Sequence, residues 1–353
     1  MSSEFSVSLL AWYEKHARDL PWRRLNNPYA IWIAEVMLQQ TRVETVIPYY
    51  QRWLTRFPKV EALAEASRDE VLGLWEGLGY YQRAHNMYEA AKMIVQDQNG
   101  ELPRRVEELV QLPGIGPYTA AAIAAIAFNQ DVVAMDGNLR RVFSRQMDLT
   151  IDPRSPEGGR QLMAFAIDLL PTGRASTFNQ ALMDLGATIC VPRDPACDQC
   201  PLAVHCKAFQ RGVQNERPIR STRPAVPHHI VAAAVLRQGR KVLIGRRPQG
   251  ELLGGLWEFP GGTLERGETL ESCLRRELEE ELGVDVEIGS ELGAYKHAYT
   301  HYKVTVHAFE CSLLTGKPET RYHSELRWVT ISKLEQYPMG KVDRAIARQI
   351  AKP

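Results

Sequence analysis

The spacing of apolar residues changes once along the chain, and this change limits the possible folds more than any single motif does. Up to Cys206 apolar residues recur every three to four positions, as in "SVSLLAWYEKHA", "NMYEAAKMIVQDQ" and "GRQLMAFAIDLL". That is the period of helices burying one face. "TAAAIAAIAFN" (119–129) is apolar on every side, which predicts a helix at the centre of a bundle. Beyond Pro227 the runs are short and strand-like: "HHIVAAAVLR", "KVLIGRRP", "AYTHYKVTVHAFECSLL" and "ELRWVTI", with one helix from about Thr269 to Leu282. Between the two regions lies "RGVQNERPIRSTRPAVP" (211–227), with three prolines and no periodicity, the texture of a linker. The expectation is a multidomain chain with an all-α domain over 1–210, a linker over 211–227 and an α+β domain over 228–353.

Net charge is +1 over 353 residues, so the overall balance gives no sign of a nucleic-acid partner. Locally, Lys207–Arg223 holds five basic residues against the single acid Glu216. No apolar run reaches the roughly 18 residues of a membrane span. The start, "MSSEFSVSLLAWYEKHARDLPW", mixes charge and aromatics too early for a signal peptide. A cytoplasmic monomer is expected.

Four of the six cysteines fall within 17 residues, in "CVPRDPACDQCPLAVHC". Cys190, Cys197, Cys200 and Cys206 are spaced C-x6-C-x2-C-x5-C, which favours ligation over disulfides in a chain without a secretory signal. Thiolates suit zinc and iron–sulfur clusters alike, and spacing does not separate them. His205 is a spare donor beside Cys206.

Three further features carry candidate chemistry. In "LPGIGPYTAAAI", Gly114 and Gly116 permit a tight turn and Pro117 opens a helix. Its free N–H groups could hold a phosphate, although no Lys-Ser/Thr follows and the stretch is no nucleotide P-loop. Glu35 sits inside the apolar "IWIAEVMLQQT", where burial would raise its pKa toward that of a general acid; an outward-facing or arginine-paired Glu35 fits the same stretch. Asp136 in "AMDGNLRRV" is placed either for chemistry or simply to cap the next helix.

Taken in order, "WIAEVMLQQT" (32–41), "GLGYYQRA" (77–84), "LPGIGPYTA" (112–120), "MDGNLRRV" (135–142), "FNQALMDLGA" (178–187) and the cysteine loop resemble the adenine DNA glycosylase (MutY) branch of the helix-hairpin-helix glycosylases. The resemblance covers the first ~210 residues. It implies a 4Fe–4S cluster on the four cysteines, a hairpin gripping the DNA backbone, and a flipped adenine held between Glu35 and Asp136. It further implies that Gln39, Gln40 and Tyr80 wedge into double-stranded DNA at an 8-oxoguanine:adenine or guanine:adenine mispair. Relatives that also cut the strand carry a lysine where this chain has Tyr118. A phenol forms no Schiff base, so base removal without efficient strand cleavage is expected.

From Gly262 the spacing is G-x5-E-x7-R-E-L-x-E-E-x-G-V, with Glu268, Arg276, Glu277, Glu280, Glu281 and Gly283 in place. Glu277, Glu280 and Glu281 share a helix face, and like charges there cost about 0.2–0.5 kcal/mol per pair, which a bound Mg²⁺ or Mn²⁺ would relieve. The pattern resembles a complete Nudix box, the signature of hydrolases such as the 8-oxo-dGTP diphosphatase (MutT) family. Adenine glycosylases carry a C-terminal domain of this fold to read 8-oxoguanine, usually with a degraded box. "YKHAYTHYKV" (295–304) resembles their recognition loop, with Thr300 where serine is common, Tyr299 for phenylalanine, and His301 beside them. Lesion reading is the expected role, and hydrolysis of an oxidised nucleotide the alternative.

Overall fold

The computed structural model describes residues 2–25, 27–219, 226–299 and 302–352. Thr300 and His301 therefore lie outside the described residues. The chain divides into two units, Met1–Glu65 with Glu89–Arg223, and Ala66–Tyr88 with Pro224–Pro353. Among the described residues no helix is long and apolar enough to cross a membrane.

Helices run in chain order as α1 (Ser2–His16), α2 (Pro28–Leu38), α3 (Val43–Arg56), α4 (Val60–Ala64), α5 (Arg68–Trp75), α6 (Gln82–Asp97), α7 (Val106–Leu109), α8 (Pro117–Phe128), α9 (Gly137–Met147), α10 (Pro156–Leu169), α11 (Ala175–Thr188) and α12 (Lys207–Gln210). In the first unit the two most apolar segments become the central helices. Tyr29–Met37 of α2 and Thr119–Ala125 of α8 are buried throughout, and α8 packs against α2 and α11. Both starts carry the expected signals. Asn27 accepts from Tyr29 and Ala30 N–H before Pro28, and Gly116 precedes Pro117. A second core gathers Leu139, Phe143, Leu162, Phe178 and Leu182 from α9, α10 and α11.

Residues 211–219, expected as linker, are held to α9. Arg211 and Arg217 each meet the buried Asp148 carboxylate at 2.7 Å, and Arg145 Nε donates to the Gln214 carbonyl at 2.8 Å. Local proline content reads as a tether, but a buried acid at a helix end demands cationic partners, and this segment supplies them.

The second unit is built on strands β1 (His228–Gln238), β2 (Lys241–Arg246), β3 (Trp257–Glu258), β4 (Gly261–Thr263), β5 (Asp285–Ala298), β6 (Lys303–Thr315) and β7 (Glu325–Thr330), with helices α13 (Leu270–Leu282) and α14 (Lys341–Ile350). The mixed sheet runs β3-β2-β1-β6-β5, with β4 on β1 and β7 on β2; β1 and β6 are parallel. Alternate residues of β1 face opposite layers: Ala232, Ala234 and Leu236 pack with Leu274 and Leu278 of α13, Ala233 and Val235 with Ile346 and Ala347 of α14. A helix on each face explains why β1 reads as a continuous apolar run. The expected helix after Thr269 starts one residue later, capped by reciprocal Thr269–Ser272 hydrogen bonds. Ala66–Tyr88, which the sequence reading placed in the first domain, packs with this sheet unit: Arg246 pairs with Asp69, and His85 Nε2 hydrogen-bonds the Gly254 carbonyl at 2.8 Å.

Candidate active site and metal centres

Glu35 is 5% exposed on α2, and its carboxyl opens into a pocket walled by Arg18, Trp22, Arg23, Leu38, Gln180 and Met183. The Tyr118 hydroxyl, at the start of α8, donates to Glu35 Oε2 at 3.1 Å. Burial pushes the Glu35 carboxyl up to about 7; the Tyr118 hydrogen bond and Arg23 pull the other way, while Asp136 adds to the rise. Asp136 is the N-cap of α9 and accepts from Leu139 N–H at 2.7 Å. Burial raises its pKa too, opposed by hydrogen bonds at the helix start and by Arg141. The capping and chemical readings of Asp136 are compatible, because capping aims the carboxylate while the α9 N-terminus favours its ionised form. Both carboxyls are thus raised by burial, against Tyr118 and Arg23 at Glu35 and against the helix-start hydrogen bonds and Arg141 at Asp136.

Sequence reasoning missed the pocket walls. Arg23 Nη1 and Nη2 donate to the Asp184 carboxylate at 2.7 and 2.9 Å, and Arg18 donates to it through Nε at 2.7 Å and through its backbone N–H at 3.0 Å. Asp184 lies one turn after Gln180 on α11, so one fully buried acid orders both arginines of the wall. The four-residue spacing of Gln180 and Asp184 was the available signal; it pointed to a shared helix face, not to what the face lines.

Gln39 Nε2 donates to Thr119 Oγ1 at 3.0 Å. Gln40 and Tyr80 are both exposed, and both have left-handed backbones, with φ of 57° and 50°. Such φ values are uncommon for these residue types and cluster where a side chain must be presented. At the hairpin, Gly114 has φ 76°, which its turn requires. Gly116 has an ordinary φ of −81°, and a Cβ there would meet nothing within 4 Å. No contact among the described residues demands glycine at 116, and the residue is exposed.

Cys190, Cys197, Cys200 and Cys206 line one pocket together with Arg145. Arg145 Nη1 donates to Cys190 Sγ at 3.2 Å and to the Val191 carbonyl at 2.8 Å. Burial, and then neighbouring cysteines, raise the thiols of Cys197 and Cys206; burial carries that of Cys200 to about 12. Among the described residues no three His, Cys, Asp or Glu side chains converge as for a single metal ion. Arg141 ties the loop to α9. Its Nε donates to the Cys190 carbonyl at 2.7 Å, and its Nη2 to Asn138 Oδ1 at 2.8 Å and the Gly186 carbonyl at 2.6 Å.

The second unit distributes the three box glutamates of α13 unequally. Glu281 is buried, accepts from Gly261 N–H at 3.2 Å, and is pushed up to about 8 by burial and by Glu258. Glu277 meets Arg276 at 3.0 Å, with its carboxylate filling the space a Cβ at Gly262 would take. Glu280 is 59% exposed and also pairs with Arg276, at 3.2 Å. Glu258, unremarked in the sequence, joins Arg247 at 2.6 Å and His323 at 3.1 Å, and burial beside it raises Asp343.

Known proteins agree with this architecture. Residues 33–157 match the family model of the HhH-GPD superfamily base excision DNA repair proteins, and residues 231–349 match a NUDIX domain. The chain is 37% identical to the adenine DNA glycosylase of Homo sapiens, over 92% of this chain and 70% of that one. It is also 37% identical to that of Mus musculus, over 92% and 74%. A solved thermostable thymine-DNA glycosylase superposes with a TM-score of 0.55 at 29% identity, over 60% of this chain and 97% of that one. Fold and pocket define a helix-hairpin-helix base excision repair glycosylase joined to a Nudix-like domain. The chain belongs to the adenine DNA glycosylase family.

Proposed function

We propose that the protein hydrolyses the N-glycosidic bond of adenine mispaired with 8-oxoguanine or guanine in double-stranded DNA. The carrying observation is the pair of carboxyls, Glu35 buried on the pocket and raised to about 7, and Asp136 capped at a helix start. Adenine leaves readily only when protonated on its ring, and Glu35, neutral near its pKa, is the donor. The departing base leaves an oxocarbenium-like sugar, which ionised Asp136 stabilises. Tyr118 orients the Glu35 carboxyl and keeps the pocket free of an amine nucleophile. The adenine must be flipped out, since its glycosidic bond and ring nitrogen are not reachable together in a stack. Gln39, Gln40 and Tyr80 would occupy the disturbed stack, with the Gly114–Gly116 hairpin on the backbone and the loop that includes Thr300 and His301 reading 8-oxoguanine. The test is base release, followed by alkali cleavage, on an 8-oxoguanine:adenine duplex. Product should form with alkali and not without it; nicking at the rate of base release would overturn the monofunctional reading.

The lining of one pocket by four cysteines supports a 4Fe–4S cluster, a group that thiolates ligate. Cys190, Cys197, Cys200 and Cys206 would hold it; bound there, the cluster supplies a rigid electron-transfer-competent centre that stabilises the loop. Purified protein is expected to be brown, with absorbance at about 400 nm that Cys200→Ser diminishes. Colourless protein carrying one zinc would refute the assignment.

Hydrolysis of 8-oxo-dGTP is the second reading, favoured by one observation, the meeting of Glu281 with Gly261 and of Glu277 with Gly262. Against it, Arg276 engages Glu277 and Glu280, and Glu281 is raised toward its neutral form, so the carboxylates a Mg²⁺ or Mn²⁺ would need are committed elsewhere. With Mg²⁺ and 8-oxo-dGTP, no turnover above background is expected. Turnover that Glu280→Gln abolishes and Glu35→Gln spares would reverse this conclusion.

A further inference from the structure

The turn between α5 and α6 is fastened at both ends to one residue of the sheet unit, Met339. Glu76, directly after α5, accepts from Met339 N–H at 3.1 Å and from Arg344 Nε and Nη2 at 2.5 and 2.9 Å. Tyr81, directly before α6, is buried; its hydroxyl accepts from Gly77 N–H at 3.2 Å and donates to the Met339 carbonyl at 3.2 Å. Met339 is in turn pinned to β3 through its bridge with Trp257, whose N–H donates to the Pro338 carbonyl at 2.9 Å. Between the two anchors the backbone passes Gly77, Gly79 and Tyr80 at φ of 93°, 76° and 50°. Tyr80, the last of these left-handed residues, is 44% exposed. Underneath, Arg83 donates to the Gly79 carbonyl at 3.0 Å and lies 5.4 Å from the Tyr80 ring centroid.

A tyrosine keeps a left-handed backbone only where its surroundings over-determine it. Here the over-determination comes from the carboxylate of Glu76 and the shared hydroxyl of Tyr81. We infer that Tyr81, Glu76 and Arg344 are positioning residues that hold Tyr80 in the conformation that enters the duplex, so that the Met339 segment of the sheet unit governs mispair engagement. This rests on the reading of Tyr80 as a wedge.

The test uses the full chain with an 8-oxoguanine:adenine duplex carrying 2-aminopurine beside the lesion, and compares Tyr81→Phe, Glu76→Gln, Tyr80→Ala and the Tyr80→Ala/Tyr81→Phe double variant. Tyr81→Phe keeps the ring and removes one atom, and with it both hydrogen bonds. Loss of such buried hydrogen bonds should raise KM about tenfold while kcat at saturating duplex changes less than about twofold. The 2-aminopurine signal on binding should fall alongside. Acting through Tyr80, the double variant should be no worse than Tyr80→Ala alone. Glu76→Gln, which reaches the turn from its other end, should reproduce the KM effect. If Tyr80→Ala is impaired while Tyr81→Phe and Glu76→Gln match wild type, the positioning role is overturned and the wedge stands. Additive losses in the double variant would also overturn it. If Tyr80→Ala itself matches wild type, the wedge reading fails and this inference fails with it.

Discussion

Glu35→Gln is expected to slow adenine release about a thousandfold, the scale of a lost general acid. Glutamine keeps the shape, and its carbonyl still accepts from the Tyr118 hydroxyl, so the change isolates proton donation from pocket geometry. Wild-type release should decline as pH rises through about 7, where Glu35 ionises, and decline again in acid as Asp136 takes up its proton. Single-turnover rates across pH decide the matter. A variant within tenfold of wild type would remove Glu35 from the acid role. Stability should fall over the same rise in pH as activity. The folded pKa of Glu35 lies above its ordinary 4.5, so its favourable contribution is complete below that value and is lost as pH rises through about 7. Melting temperatures near pH 5 and near pH 8 should therefore show Glu35→Gln gaining on wild type only at the higher pH, by a few kcal/mol at about 1.4 kcal/mol per pKa unit.

Asp184→Ala is expected to cost about 3–5 kcal/mol of folding stability, because it strands two guanidinium groups that meet over one fully buried carboxylate. Burial alone would raise the Asp184 pKa, yet hydrogen bonds and charge from Arg23 and Arg18 outweigh it and hold the group below its usual range. A lowered pKa stabilises the fold above the ordinary aspartate value, and the benefit is lost as pH falls. The acid unfolding transition of the variant should accordingly be shallower than that of wild type. Urea denaturation gives the magnitude, and a change below about 1 kcal/mol would show that the arginines find other partners. Since Arg18 and Arg23 also wall the pocket, KM for the duplex should rise alongside.

Periodicity was enough to separate a helical region from a strand region, since burying one face of a helix or of a sheet imposes its own repeat. It was also enough to mark Glu35 as a carboxyl inside an apolar stretch, while its burial came from the fold. It could not assign Ala66–Tyr88 to the sheet unit. That choice depends on Glu76 meeting Arg344, a partner 268 positions away that leaves no local pattern. The linker reading of 211–219 fell short for the same reason, since the buried Asp148 that captures Arg211 and Arg217 is remote in sequence.

The sequence alone determined the family, the order of the two regions and the cysteine set, and it singled out Glu35 and Asp136 as candidates, because residue type and spacing carry those signals. The tertiary structure alone decided what surrounds these groups: Tyr118 on Glu35, Asp184 behind the arginines, and Arg276 holding three of the box glutamates. A pKa, a pocket wall and a held turn are properties of neighbours in space, which the order of residues along the chain does not specify.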